Sequence, residues 1–195
     1  MMAGGSSLLQ QIRDFLADYR PQRLSQNETT PAAVLLLLYE KAGEPFIVLT
    51  RRTEDVEHHK GETSFPGGAF DPQDGDLLTT ALRETEEEIG VRPEDVQVLG
   101  RLDDIVTITS FGVSPFVGLL STPSYPFALN AHEVAELVEV PLRYLMDERN
   151  LEQGVGRLAD RWWPILSYRY GDHRIWGATA RILKGFFDHL AASGG

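Results

Sequence analysis

One uninterrupted apolar stretch, AAVLLLLY at residues 32–39, limits the folds that this chain can adopt. A membrane-spanning helix needs about 20 apolar residues, so this stretch is far too short for one and instead predicts a strand in the protein core. Residues 45–50 predict a second strand, and the polar EKAGE that separates the two is typical of a hairpin turn. We therefore expect a β-hairpin early in the core.

The remaining pattern predicts helices and further strands in mixed order. Apolar residues recur at helical spacing in residues 7–19, 77–89 and 178–191, and a shorter helix is expected at 141–146. Strands are expected at residues 96–108, 112–120 and 134–140, followed by a hairpin of 161–170 and 173–177. The segment FPGGAFDPQDGD predicts a loop. Few β-α-β units are present, so the expected fold class is α+β, with a mixed sheet in a sandwich.

Composition excludes several kinds of site. The chain of 195 residues has no cysteine, which excludes disulfides, zinc–thiolate sites and a cysteine nucleophile. Its formal net charge of −11, without clustered Lys and Arg, argues against binding to nucleic acid. The N-terminal segment lacks a basic stretch followed by a long apolar run. We therefore expect no signal peptide, no membrane association and a cytoplasmic location.

The predicted helix at residues 77–89 carries like charges at positions where they repel. Glu84 and Glu88 are an i,i+4 pair of the same sign, and Glu87 lies near the helix C-terminus, where the helix dipole disfavours anions. A solvated acidic face is the plain interpretation, but such faces tend to intersperse Lys. Local stability does not explain the arrangement, whereas three carboxylates on one face offer hard oxygen ligands to Mg²⁺ or Mn²⁺.

Residues 68–91, GAFDPQDGDLLTTALRETEEEIGV, resemble the Nudix box, G-x5-E-x7-R-E-U-x-E-E-x-G-U, in which U is aliphatic. Thr85 stands in place of an aliphatic residue, and the second half of the box matches at Arg83, Glu84, Glu87, Glu88, Gly90 and Val91. In the first half, Gly68 lies one residue too far from Arg83, and Asp74 or Gly75 takes the place of the isolated Glu. A one-residue insertion explains both departures.

This resemblance implies a Nudix hydrolase, with an α/β/α sandwich around a mixed β-sheet, that cleaves a diphosphate with Mg²⁺ or Mn²⁺. On the matching positions, Glu84, Glu87 and Glu88 would bind the metal. Gly68 would add a backbone carbonyl, and Arg83 would orient Glu84. Metal ions neutralise a diphosphate and lower the pKa of an attacking water, so the implied chemistry agrees with the acidic helix face.

Residues 48–68, VLTRRTEDVEHHKGETSFPGG, resemble a second motif, L-L-T-x-R-[SA]-x3-R-x3-G-x3-F-P-G-G, which marks the coenzyme A pyrophosphatase branch of the family. The resemblance implies substrate contacts by Arg52, His59, Lys60 and Phe65. Glu57 departs from the motif, which has Arg there; the basic residues that follow, His59 and Lys60 among them, would replace the lost positive charge. Later segments resemble the same branch, so the likeness covers about residues 32–187.

The branch implies hydrolysis of coenzyme A, or an acyl-CoA, to 3′,5′-ADP and 4′-phosphopantetheine, with Glu84 or Glu133 accepting the proton of the attacking water. A Nudix hydrolase for ADP-ribose, NADH or a nucleoside triphosphate stays open, as does a non-catalytic nucleotide-binding module that has kept the fold. We expect an N-terminal helix and arm at residues 1–31, a Nudix hydrolase domain at 32–191 and a tail at 192–195. A small CoA-like nucleotide is the expected partner, and a homodimer stays open.

Overall fold

The computed structural model describes residues 7–24, 29–53, 61–122, 124–158 and 161–193, without the side chains of residues 157, 158, 161 and 162. The helices are α1 (Leu8–Asp18), α2 (Leu77–Ile89), α3 (Leu142–Met146) and α4 (Gly177–Ser193). The strands are β1 (Thr30–Lys41), β2 (Glu44–Arg52), β3 (Thr63–Ser64), β4 (Gly67–Ala69), β5 (Val96–Arg101), β6 (Ile105–Val106), β7 (Phe111–Leu120), β8 (Val134–Pro141), β9 (Leu151–Leu158), β10 (Arg161–Tyr170) and β11 (His173–Trp176).

Strand β1 organises the sheet because it is paired along both edges. On one edge it runs parallel to β7, with Leu36 opposite Val117. On the other edge its first half pairs antiparallel with β4, and its second half pairs antiparallel with β2 in the expected hairpin. Strand β2 continues to β8 and β3, and β3 runs parallel to β11. Parallel and antiparallel pairs together make the sheet mixed.

The apolar stretch of β1 is buried on both faces of this sheet. Leu36 and Leu38 belong to a core cluster that also contains residues of α1 and α4. Leu35 and Leu37, which point the other way, belong to a second cluster with residues of α2. Helices α1 and α4 therefore cover one face and α2 covers the other, which confirms the α+β class and the α/β/α sandwich.

Helix α1 shares its core with the rest of the chain. Its Ser7 cap accepts a hydrogen bond from the Gln10 backbone N–H, and Ile12 and Leu16 are buried in the same cluster as α4. The boundary that we expect near residue 31 therefore separates two parts of the chain that pack together. None of the helices in the described part of the chain is long and apolar enough to cross a membrane.

Local side-chain bonds and long-range pairing account for the elements that differ from expectation. The single strand predicted at residues 96–108 is interrupted after β5, because the carboxylates of Asp103 and Asp104 accept hydrogen bonds from the backbone of Gln22 and Leu24. Part of the predicted FPGGAF loop is β4, held by its pairing with β1. Strand β9 was not expected, and α4 extends two residues into the predicted tail, to Ser193.

Candidate active site

The acidic helix begins and ends at the residues expected from its sequence. The Asp76 side chain caps α2 by accepting a hydrogen bond from the Thr79 backbone N–H at 2.8 Å. The helix ends at Gly90, whose φ of 71° places it in the left-handed region that favours glycine. The two signals set the ends of the helix, and burial of its apolar side against the sheet turns Glu88 inward and leaves Glu87 facing solvent.

Strand β4 lies against this helix through two adjacent glycines. The Gly67 N–H donates to Glu88 Oε2 at 3.3 Å. A Cβ on Gly68 would lie 2.6 Å from both carboxylate oxygens of Glu84, so the missing side chain is what admits that carboxylate. The box residues Gly68, Glu84 and Glu88 thus meet where β4 crosses α2.

Arg83 connects the carboxylates of the box. Its Nε and Nη2 donate to the two oxygens of Asp74 at 2.8 and 3.0 Å, a bidentate pair. The guanidinium also lies 3.0 Å from Glu84 Oε1 and donates to Glu87 Oε2 at 2.9 Å. Hydrogen bonding from Arg83 lowers the pKa of Asp74 to about 2. Sequence left Asp74 and Gly75 open as the equivalent of the isolated Glu, and the contact with Arg83 selects Asp74.

Glu88 is a buried acid with little compensating charge. Its side chain is 2% exposed, and its ion pair with Arg52 Nη1 spans 3.4 Å. Burial raises the pKa of Glu88 to about 8; Arg52 opposes that shift, and the charges of Glu84 and Glu133 add to it. Burial likewise raises the pKa of Glu84, against the lowering effect of Arg83. A site that raises the pKa of two neighbouring carboxyl groups is short of positive charge.

Glu133 approaches this cluster from the turn that precedes β8. Asn130 bonds both the Glu88 carbonyl, through its backbone N–H, and the Glu133 carboxylate, through its side chain, so Glu133 lies next to the last turn of α2. The Asn130 side-chain amide donates to Glu133 Oε1 at 3.1 Å. Sequence reasoning missed Asn130; the only local signal was a turn-forming residue three positions before an acid.

Other predicted substrate contacts are placed differently. Phe65 is 3% exposed and packs in the core cluster shared with α1 and α4, so the structure does not support it as a substrate contact. The motif around it therefore serves packing at this position. Glu57, His59 and Lys60 lie outside the described residues.

Comparison with known proteins identifies the family of this chain. A family model described as NUDIX domain matches residues 29–157, two thirds of the chain. The chain belongs to the Nudix family. The uncharacterized Nudix hydrolase NudL of Photorhabdus laumondii is 40% identical over 164 residues, covering 84% of this chain and 86% of the relative. NudL of Pectobacterium atrosepticum is 41% identical over 144 residues, covering 71% and 72%.

Solved structures support the same fold. A MutT protein from Methanosarcina mazei Go1 superposes with a TM-score of 0.53 at 19% identity, covering 88% of this chain and 99% of that chain. A Nudix hydrolase from Alicyclobacillus acidocaldarius gives 0.52 at 21% identity, covering 64% and 84%. With the family and the relatives, the chain is a Nudix pyrophosphohydrolase that acts on a nucleotide derivative.

Nudix hydrolases use divalent metal ions, and the donor chemistry of this site fits one. Among the described residues no three acidic or histidine side chains already converge as a ligand set, and Arg83 forms ion pairs with the carboxylates of Glu84 and Glu87. The available donors are nonetheless hard carboxylate oxygens, which suit such cations. Burial raises the pKa of both Glu84 and Glu88, and a cation bound beside them would favour their ionised forms.

Proposed function

We propose that this Nudix hydrolase cleaves the central diphosphate of coenzyme A, or of an acyl-CoA, to 3′,5′-ADP and the 4′-phosphopantetheine product. One observation carries the proposal: the motif of the coenzyme A branch meets the Nudix box in space. Arg52 and Gly67 of that motif both contact Glu88, at 3.4 and 3.3 Å. Residues of the branch motif are thus in direct contact with Glu88, which we propose as a metal ligand.

Arg52 supports a phosphate-binding role by its unsatisfied donor. Its Nε is buried and has no hydrogen-bond acceptor among the described residues. A buried donor without an acceptor is costly, and a phosphate oxygen would provide one. We therefore assign Arg52 to the substrate, and keep His59 and Lys60 as proposed contacts from the adjoining motif.

In the proposed reaction a water oxygen attacks one phosphorus in line, and the bond from that phosphorus to the bridging oxygen breaks. Glu84 or Glu133 accepts the proton of the water, and the bridging oxygen leaves with the other phosphate. Glu84, Glu87, Glu88 and the Gly68 carbonyl would hold Mg²⁺ or Mn²⁺. When bound, the metal neutralises the diphosphate and lowers the pKa of the water. Arg83 holds Glu84 in place during these steps.

Glu57 favours a second candidate, a Nudix hydrolase for another nucleotide such as ADP-ribose, NADH or a nucleoside triphosphate. It reverses the charge that the coenzyme A motif has at that position. For either substrate we propose a cytoplasmic enzyme with a small nucleotide partner and a hydrolase domain at residues 32–191. A homodimer stays an open part of the proposal.

Chromatography of the products tests the assignment. The purified protein is incubated with Mg²⁺ or Mn²⁺ and with coenzyme A, ADP-ribose, NADH or a nucleoside triphosphate. We expect 3′,5′-ADP and 4′-phosphopantetheine, with coenzyme A turned over fastest. Turnover of another compound alone would discard the branch assignment. Turnover of none would favour the non-catalytic module.

Matched variants on one helix separate catalysis from binding. Glu88→Gln removes a proposed metal ligand and should abolish turnover, with the fold retained by circular dichroism. Glu86→Gln is the control, because Glu86 is an exposed acid on the same helix, at a position that the box leaves variable. Equal activity in the two variants would contradict the roles proposed for the box.

A further inference from the structure

The loop before β8 is fastened to the C-terminal end of α2. The Ala128 N–H donates to the Ile89 carbonyl at 3.0 Å, and the Asn130 N–H donates to the Glu88 carbonyl at 2.9 Å. These are carbonyls of the last helical turn, which lack partners within the helix. The contact is close: a Cβ on Gly90 would lie 2.8 Å from that of Ala128. These contacts therefore fix the backbone of Asn130 relative to the end of α2.

Asn130 then organises the turn that carries Glu133. Its carbonyl accepts from the backbone N–H groups of Glu133 and Val134 at 3.0 and 2.8 Å. Its side-chain Oδ1 accepts from the His132 N–H at 3.2 Å, and its Nδ2 donates to Glu133 Oε1 at 3.1 Å. Only this orientation of the amide satisfies both partners, because the reversed amide would set oxygen against the carboxylate and N–H against N–H.

Thr53, at the end of β2, holds the other side of the same turn. Its backbone N–H donates to the Glu133 carbonyl at 3.0 Å, and its hydroxyl donates to the His132 carbonyl at 2.9 Å. Thr53 thereby fixes the Glu133 backbone. These contacts do not involve the carboxylate of Glu133. Within the part of the chain that the structure describes, the hydrogen bond from Asn130 is the one that orients that carboxylate.

We infer that Asn130 is a positioning residue for the reaction: it holds the Glu133 carboxylate beside the box and keeps it in register with α2. The inference rests on the proposed function, because it assigns Glu133 a role as proton acceptor in the hydrolysis. It does not depend on which nucleotide is the substrate. As the proton acceptor, the inference favours Glu133 over Glu84. The neutral amide of Asn130 orients the Glu133 carboxylate, and the turn that carries Glu133 is bonded to α2 and to the end of β2.

A double-mutant cycle between Asn130→Ala and Glu133→Gln tests the inference, on the nucleotide that the wild type hydrolyses fastest. Loss of the orienting amide should lower kcat about 10- to 100-fold, the usual effect of removing such a partner, with KM changed less than about 3-fold. In the Glu133→Gln background, Asn130→Ala should change kcat by less than about 3-fold, because the group that it positions is already disabled.

Asn130→Asp separates orientation from a structural role in the turn. Aspartate retains the acceptor for the His132 N–H but has no donor for Glu133, so its kcat should be at least as low as that of Asn130→Ala. Asn150→Ala is the matched control, since the Asn150 amide donates to the Tyr144 carbonyl at 2.8 Å, away from the box. It should lower the melting temperature slightly and leave kcat unchanged.

The outcomes distinguish this inference from the proposed function. If the fold losses in kcat of the two single variants multiply in the double variant, or if Asn130→Asp has wild-type kcat, Asn130 only shapes the turn. Either result would overturn the inference. Turnover of another nucleotide in place of coenzyme A would overturn the substrate assignment and leave the cycle valid. A wild type that hydrolyses none of the panel would overturn both.

Discussion

Gly68→Ala should damage the reaction far more than the fold. Gly68 is not among the residues with positive φ, so its backbone accepts alanine. The added Cβ would lie 2.6 Å from the Glu84 oxygens, where ordinary contact begins at 3.4 Å, so the carboxylate must retreat by about 0.8 Å. Glu84 can move at little cost in stability, because its carboxylate is the end of a flexible side chain.

The size of the expected loss follows from that displacement. A misplacement of about 1 Å in a reacting constellation can lower the rate about 100-fold, which is about 2.7 kcal/mol. We expect this loss in kcat for Gly68→Ala, measured by product chromatography, with weaker Mn²⁺ binding by calorimetry. The free energy of unfolding, measured in urea without metal, should change by less than about 1 kcal/mol.

Two other glycines provide controls. Gly67 has a φ of 146°, and a Cβ there would lie 2.3 Å from the Ala33 carbonyl oxygen, part of the rigid backbone of β1. Gly67→Ala should therefore destabilise the fold by at least about 2 kcal/mol. Gly185→Ala, on α4, meets nothing within 4 Å and should leave kcat unchanged. Wild-type kcat and Mn²⁺ affinity in Gly68→Ala would refute the assigned contact between Gly68 and Glu84.

Three further predictions concern charge. The pKa of Glu88 is raised from 4.5 to about 8, so between these pH values the folded protein keeps a proton that the unfolded chain releases. Without metal, the free energy of unfolding should therefore decrease as pH rises from about 4.5 to about 8, compared with that of Glu88→Gln. The same pH dependence in both proteins, measured by urea denaturation, would contradict this. Mn²⁺ should raise the melting temperature more near pH 8 than near pH 6, because the ligand must be ionised, and EDTA should reverse the shift; equal shifts would exclude Glu88 as a ligand. Asp74→Asn should lower the free energy of unfolding by about 1–3 kcal/mol at neutral pH. Because the pKa of Asp74 is lowered from 3.8 to about 2, that difference should shrink as pH falls through this range, and a constant difference would contradict the ion pair with Arg83.

Local signals account for what the sequence could predict. Helix α2 has the predicted bounds, because an aspartate cap, helical spacing of apolar residues and a terminal glycine all agree. The hairpin of β1 and β2 was likewise predictable from two apolar runs and a short polar turn. The unfavourable local charge of Glu84, Glu87 and Glu88 predicts a cationic partner outside the helix, and that partner stays a prediction.

The rest depends on contacts between distant parts of the chain. Asp74, rather than Gly75, corresponds to the isolated Glu of the box, because Arg83, nine residues later, donates a hydrogen bond to its carboxylate. The FPGG motif predicted a substrate-facing Phe65, but packing of that ring decides its orientation, and the ring lies in the core. Asn130 acts through the end of α2 and the start of β8, and no residue near it in sequence signals that connection.

The shared core has a practical consequence for anyone who trims this chain. The family match spans residues 29–157, yet Ile12 on α1 and Leu183 and Phe186 on α4 are all 1% exposed or less. A fragment cut to the family limits would lose both α1 and α4 from that side and expose leucines of β1 to water. Such a surface drives molecules to associate, so we expect insoluble aggregates rather than a minimal enzyme.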